Sequence, residues 1–205
     1  MRITQKVSLA LGAAFIVVCA LLWAALQMSV APKFAEFEYE KASDNFGRAQ
    51  NAVERELQLL EAFRSDYGVW DDAYEYMKGG YPGFLERQLP FSLFNDIDLS
   101  VFVYLSPAGG KAEGVAIDGA RENQVDVDYY APSASGGWES FHARLAADEV
   151  GQSVIQTKAG LMMIAYGPVT LTDGGGDYVG HLLTGTLVND AFVEQLSSQT
   201  REVGS

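Results

Sequence analysis

The chain lacks most of the features from which chemistry can be read directly. Its 205 residues hold a single cysteine, Cys19, so no intramolecular disulfide forms and cysteine usage says nothing of redox compartment. Two histidines, His142 and His181, are too few for a metal centre, and each reads as a surface or edge residue. Only 14 bases stand against 27 acids, a balance that repels nucleic acid and anionic lipid alike. No phosphate loop or dinucleotide fingerprint occurs. Ser140 and His142 are close in sequence, but no activated-serine motif surrounds them. Repeats and low-complexity runs are absent too, and six prolines among 48% apolar residues mark a folded chain, not a disordered tail.

Charge is missing altogether from 7 to 32, where "VSLALGAAFIVVCALLWAALQ" approaches the ~20 apolar residues a helix needs to cross a bilayer core. Arg2 and Lys6 precede it, so the positive-inside rule keeps the N-terminus in the cytoplasm and exports the rest. A cleaved signal peptide has an apolar core of only ~7–15 residues ending at a small-x-small site. Here the one such site, 29–31, is followed by Pro32, and a retained anchor is expected. Cys19 is no lipidation site, since Val17 and Val18 stand where small residues are needed. The expected organisation is a cytoplasmic N-terminus over 1–6, a transmembrane helix over 7–31, an extracytoplasmic domain over 32–200 and a short end at 201–205. All 27 acids but only 12 of the 14 bases lie beyond the anchor, an excess of 15 negative charges. About 170 residues suffice for one domain with a sizeable core.

The exported part opens with a long helix. Ala42, Phe46, Ala49, Val53, Leu57 and Leu60 recur at the spacing of one helical face. Over 34–63 it would run roughly 45 Å. Its stripe can pack on the domain's own sheet, or pair near the membrane with the same helix of a second chain; heptads with charged flanks are not sustained, which favours the first. "KGGYPG" breaks the helical pattern, and "FLERQLPFSLFNDID" reads as short helical turns interrupted at Pro90. From Leu99 the pattern turns to strand: "LSVFVYL" and "KAEGVAI" form a hairpin around "SPAGG". A polar, turn-rich loop comes next over one face of the sheet, then a helix over 138–149. "SVIQTKAGLMMIAYGPV" gives two strands around Lys158, Ala159 and Gly160. "TDGGGDYVGHLLTGTLV" gives a glycine turn and a last strand, and "NDAFVEQLSSQ" a helix capped by Asn189 or Asp190. The fold class is α+β, a long helix laid against one antiparallel sheet.

The densest chemistry lies in "RSDYGVWDDAYEYM", where Asp71 and Asp72 sit among Tyr67, Trp70, Tyr74 and Tyr76. If 67–77 is helical, Tyr67, Trp70, Tyr74 and Met77 share one stripe with Asp71 at its edge, and Asp72 points away beside Tyr76. A general acid and base must converge on one substrate, so this divergence weakens a hydrolytic reading. Asp71 would accept bonds from backbone N–H groups of a following loop, or meet a cationic or amine ligand; the brace outweighs the ligand contact. "GGGDY" is faintly like a diguanylate cyclase signature, but between two apolar strands it reads as a hairpin turn.

"DYGVWDDAYEYM" after a long membrane-proximal helix, then Tyr81, "LFNDIDLSVFVYLSPAGG" and "GPVTLTDGGGDYVGHLLTGTL", resembles the type-four CHASE domain. This is an extracytoplasmic, Cache-like sensor module of membrane receptors, commonly followed by diguanylate cyclase, phosphodiesterase or histidine kinase domains. The resemblance spans most of 34–200. It implies a PAS-like antiparallel sheet on the long helix, an unidentified small-molecule ligand held between sheet and loops, and a receptor at the inner membrane controlling a cyclic-di-GMP or histidine-kinase output. Homodimerisation through the long helix is expected, and no catalytic residue, cofactor, metal or nucleic-acid partner. Ligand-facing candidates are Tyr104 and Tyr166, with Trp70, Asp71 and Tyr74 behind them; Tyr67 and Asp72 complete the signature. Where relatives read Gly-Arg in the last strand, this chain has Gly185 and Thr186, which leaves the arginine's role open. Two other readings stay in view: an envelope hydrolase using Asp71 and Asp72, and a membrane-anchored scaffold whose acidic face docks partners.

Overall fold

The computed structural model describes residues 3–29, 31–107, 112–134, 136–190 and 192–194. The chain forms two compact units, 1–50 and 51–205. The first holds α1 (Ile3–Ser29) and the start of α2 (Ala31–Gly68). Side chains 11–23 of α1 are all exposed, among them Phe15 at 70% and Trp23 at 67%. Among the described residues no helix is long and apolar enough to cross a membrane. The span expected over 7–31 therefore rests on the sequence alone. Residues 1–2, the expected turn residues 108–110 and the C-terminal residues 195–205 lie outside the described residues, as does the Ala42 side chain.

The second unit is built on a six-stranded sheet of order β3-β2-β1-β6-β5-β4. Its strands are β1 (Val101–Leu105), β2 (Ala112–Ile117), β3 (Gln124–Val125), β4 (Gly151–Gln156), β5 (Leu161–Pro168) and β6 (His181–Leu187), and every pairing is antiparallel. The hairpins expected at 99–117 and 153–168 are present, and Thr157 closes the second through bonds from its N and Oγ1 to the Gly160 carbonyl, 2.9 and 2.8 Å. β1 is central and buried throughout, as its apolar run "VFVYL" requires of a strand covered on both faces. Its neighbour β2 approaches so closely that a Cβ on Gly114 would collide with the Phe102 carbonyl of β1.

Alternation divides the sheet's side chains between two cores. Phe102, Tyr104, Val115, Ile117, Met163, Ala165 and Leu182 face the helical layer of α2, α3 (Asp71–Met77), α4 (Phe84–Gln88) and α5 (Phe91–Asp96). Val101, Val103, Leu105, Ala116, Met162, Ile164 and Leu183 face the other way, under η1 (Val127–Tyr130) and α6 (Trp138–His142). The polar loop expected over one face is thus a partly helical cover, with Tyr130 fully buried and its hydroxyl donating to the Ile117 carbonyl at 2.6 Å.

Of the apolar stripe on α2, Val53, Leu57 and Leu60 pack on the sheet, whereas Phe46 is 72% exposed. Side chains also hold the helix by its backbone. Thr184 Oγ1 of β6 donates to the Leu60 carbonyl at 2.8 Å, and Gln152 Nε2 of β4 to the Leu57 carbonyl at 3.1 Å. α4 and α5 are separated at Pro90, which caps α5 in extended conformation. The helix expected over 138–149 stops at His142. Beyond it the Glu149 carboxylate accepts from Ala146 N at 3.0 Å, a local side-chain bond that competes with helix continuation. After β6, Asn189 Oδ1 accepts from Phe192 N at 2.9 Å, the cap expected there.

Leu60 is fully buried and its neighbour Leu59 is 42% exposed. Leu60→Ala will lower the unfolding free energy by about 2–5 kcal/mol. Leu59→Ala will change it by no more than about 0.5 kcal/mol. Urea unfolding of the two variants checks this, and equal losses would contradict the packing of α2 on the sheet.

Candidate functional site

The Trp-Asp-Asp segment is not one helix. α2 ends at Gly68 because the next two residues make strand-type bonds to a segment a hundred positions away. Thr170 N donates to the Gly68 carbonyl at 2.9 Å, and Trp70 N to the Thr170 carbonyl at 3.1 Å. Trp70 is extended, with φ −152° and ψ 129°, and α3 restarts at Asp71. The single stripe expected across 67–77 is corrected accordingly. Two side chains of the restarted helix then seize the β5–β6 loop. Asp71 Oδ1 accepts from Thr172 N at 2.8 Å, and Tyr74 Oη accepts from Asp177 N at 2.8 Å. Gly176, at φ +100°, lies so close under the Tyr74 ring that a Cβ would stand 2.8 Å from it. Asp71 is exposed and Asp72 half-buried, so the brace to a following loop is the observed role of the first carboxylate.

The aromatics of the segment pack on one another. Tyr67 meets Trp70 and Phe102 edge-on at 5.9 and 5.2 Å, Trp70 meets Phe84 at 5.5 Å, and Tyr76 stacks on Phe84 at 4.9 Å. Tyr104 is buried among them and donates to the Tyr67 carbonyl at 3.1 Å; burial, more than the neighbouring Tyr76 and Tyr67, holds its hydroxyl well above the usual range. Tyr81 sits on Phe84 at 5.6 Å with the Arg87 guanidinium over its ring. Tyr166 is elsewhere. It belongs to the opposite face of the sheet, half-buried, and its hydroxyl donates to Glu149 Oε1 at 3.1 Å. Tyr67, Trp70, Tyr74 and Tyr104 are therefore brought together on the helical side, and Tyr166 is not brought to them.

On the side of Tyr166 lies a cluster that the sequence reading missed. His142 and His181 are 8% and 0% exposed, not surface or edge residues. His142 Nε2, Tyr178 Oη and His181 Nδ1 lie within 2.8–3.1 Å of one another. Burial pushes both imidazoles down, His181 to about 4 with help from the adjacent His142. The histidines are separated by 39 positions, and only the register of β6 and the end of α6 bring them into contact. Their spacing alone offered no signal.

Cavities flank the sheet among the described residues, and two of them bear polar groups. One of about 440 Å³ opens between η1 and α6, walled by Val127 and Trp138 and bearing Asp126, Asp128 and Glu139. The other, about 240 Å³, lies beside Ser100, Asp118 and Thr186 at the end of β6. There Arg121 Nη1 meets Asp98 Oδ1 at 2.7 Å, and both residues hold left-handed backbone, φ 62° and 53°. Thr186 Oγ1 donates to the Asp98 carbonyl at 2.8 Å, so the guanidinium of this region comes from Arg121, in the turn between β2 and β3. Neither Asp71 nor Asp72 lines either cavity. Among the described residues no three His, Cys, Asp or Glu side chains converge as a metal set.

The family model of the CHASE4 domain matches residues 52–203. The chain belongs to the CHASE4 family. No curated protein sequence matches it. Among solved structures it is similar to the extracellular domain of the putative histidine kinase vpHK1S-Z8, with 13% identity and a TM-score of 0.41 over 77% of this chain. The chain spans 61% of the length of that structure, and the likeness is too slight to bear on function. This CHASE4 domain is a sensing module of a signalling receptor.

Two measurements test the geometry of the CHASE4 site. Tyr74→Phe will remove the acceptor of Asp177 N and speed exchange of that amide about tenfold, the equivalent of one lost hydrogen bond. Tyr76→Phe, whose hydroxyl instead donates to Glu113 Oε2 at 2.7 Å, will leave it unchanged. Beside the smaller cavity, Glu56 is held above the usual carboxylate range, first by burial and then by the charge of Asp98. A raised folded-state pKa means the folded chain holds that proton more tightly. The stabilisation is full below the ordinary value of 4.5 and is lost as pH rises through the raised one. Glu56→Gln will accordingly raise the thermal midpoint at pH 7 and give no gain at about pH 4; the reverse order would refute the assignment.

Proposed function

We propose that this CHASE4 domain reads a small molecule outside the cell and passes the result inward along α2. Membership of the family over 52–203 carries the reading. The charge-free run from 7 to 32, with Arg2 and Lys6 before it, supports a single-pass anchor at the inner membrane with a cytoplasmic N-terminus. The antiparallel order of the sheet and its helical layer suit a PAS- or Cache-like module. Ligand binding on the face of η1 and α6 would favour one of two packings of sheet on helix. Coupling of ~1–3 kcal/mol is enough for regulation. Bonds from Thr184 and Gln152 to α2 carbonyls make that helix the element a shift in the sheet would move. Exposed Phe46 on the apolar stripe supports pairing with the same helix of a second copy. The output would be a cyclic-di-GMP enzyme or a histidine kinase, carried outside these residues.

The hydrolase reading loses its main support. Asp71 is engaged by Thr172 N, and neither acid lines either of the two cavities described above. The decisive measurement is a thermal-shift panel on the exported part with amino acids, organic acids, polyamines and sugars. At least one class will raise the midpoint in a saturable way. A flat response to every class, together with salt-sensitive association with envelope proteins, would replace the sensor by the scaffold.

A further inference from the structure

Three side chains from separate elements converge on one point. His142 closes α6, Tyr178 stands in the β5–β6 loop and His181 opens β6. Tyr178 Oη is 2.8 Å from His142 Nε2 and 2.8 Å from His181 Nδ1, and the two nitrogens are 3.1 Å apart. Hydrogen bonding explains two sides of this triangle and not the third. A neutral imidazole nitrogen presents one proton or one lone pair in a single in-plane direction, and the phenol has one proton to give. Two linear bonds exhaust the set, yet all three distances are short.

The far side of His181 gives a second observation. Its ring is fully buried and Nε2 has no hydrogen-bond partner, whereas Nδ1 meets both Tyr178 Oη and His142 Nε2. A proton on Nε2 leaves Nδ1 as a bare lone pair directed at the triangle. A metal-bound histidine likewise carries its proton on the nitrogen remote from the ion.

We propose that His142 Nε2, His181 Nδ1 and Tyr178 Oη form a binding site for a divalent first-row transition-metal ion. An ion placed about 2.1 Å from each of three donors this close together sees them at roughly 90°, a facial set with its remaining positions open. Tyr178 is 39% exposed and gives the ion its way in. Two imidazoles and a phenol favour the strongly polarising Cu2+ over the rest of the series, and its binding releases the phenol proton to solvent as the phenolate forms. Glu149, whose oxygens accept from Tyr166 and from Ala146 N, supplies a negative charge beside His181 without ligating. The site is independent of the small-molecule reading.

The test uses the whole chain in detergent, titrated with CuCl2 and ZnCl2 against a glycine competitor. One ion will bind per chain, and copper will bring a phenolate-to-copper absorption band in the visible. Tyr178→Phe will abolish the band. His142→Gln will weaken binding by about tenfold or more. MgCl2 and CaCl2 will neither bind nor shift the midpoint. Tyr178 and His142 carry the test because substitution of the buried His181 risks the fold, and circular dichroism confirms that both variants are folded. Absence of stoichiometric binding, or His142→Gln binding as tightly as the unaltered chain, would overturn the proposal.

Discussion

The domain depends on how α3 grips the β5–β6 loop. Pairing of 68–70 with Thr170 forces α2 to stop, and the restart at Asp71 turns a carboxylate and a phenol onto the amides of Thr172 and Asp177. The stretch between those amides contains three consecutive glycines, costly to order because glycine loses more freedom on folding than any other residue, and it folds on itself through bonds from Gly174 N to the Leu171 carbonyl and from Gly175 N to Asp173 Oδ1. The two acceptors hold it at both ends. Tyr178 comes directly after Asp177 in the chain and His181 three residues later, so the same grip that shapes the helical side positions the cluster on the other.

Sheet and helix are joined by more than apolar area. Leu60 fills the core beneath β6 while its carbonyl takes the hydroxyl of Thr184, a buried polar group that finds its partner in the helix backbone. The two faces are unlike. One is a continuous aromatic layer around Phe84, Tyr76 and Tyr104; the other sets Tyr130, Trp138 and Phe141 over aliphatic strand residues, with Tyr166, Glu149 and the two histidines beside them. The ring contacts of the first, 4.9–5.9 Å between centroids, are those of a structural core, and the larger of the two cavities opens under the cover of the second, between η1 and α6.

The strands were legible because their alternation is local: "VFVYL" and "LMMIAYGP" need no distant partner to be recognised. Pro90 and the glycines at 79–80 likewise marked real boundaries. The break at Trp70 was harder to read, since a single glycine, Gly68, does not by itself end a helix and the bonds that end this one come from Thr170. Strand register was equally hidden. Tyr104 pairs with Leu182, which pairs with Gly167, so its counterpart Tyr166 is one position out of step and emerges on the other face. The family, by contrast, was carried by a short run of aromatics and acids whose bracing role the structure now explains.

The open rim of the sheet has a further consequence. β4 is the last strand, and its "GQSVI" carries neither a charge nor a proline, the usual deterrents to a neighbour's backbone; Val154 and the adjoining Val150 are 51% and 54% exposed. Its far end is covered by the bond from Ser133 N to the Gln156 carbonyl. Protection against strand-to-strand growth must then come from mutual repulsion between whole domains of high negative charge, which ions weaken beyond ~8 Å at physiological strength. Colloidal behaviour in brine, more than any thermal limit, becomes the natural boundary on how densely this domain can be packed.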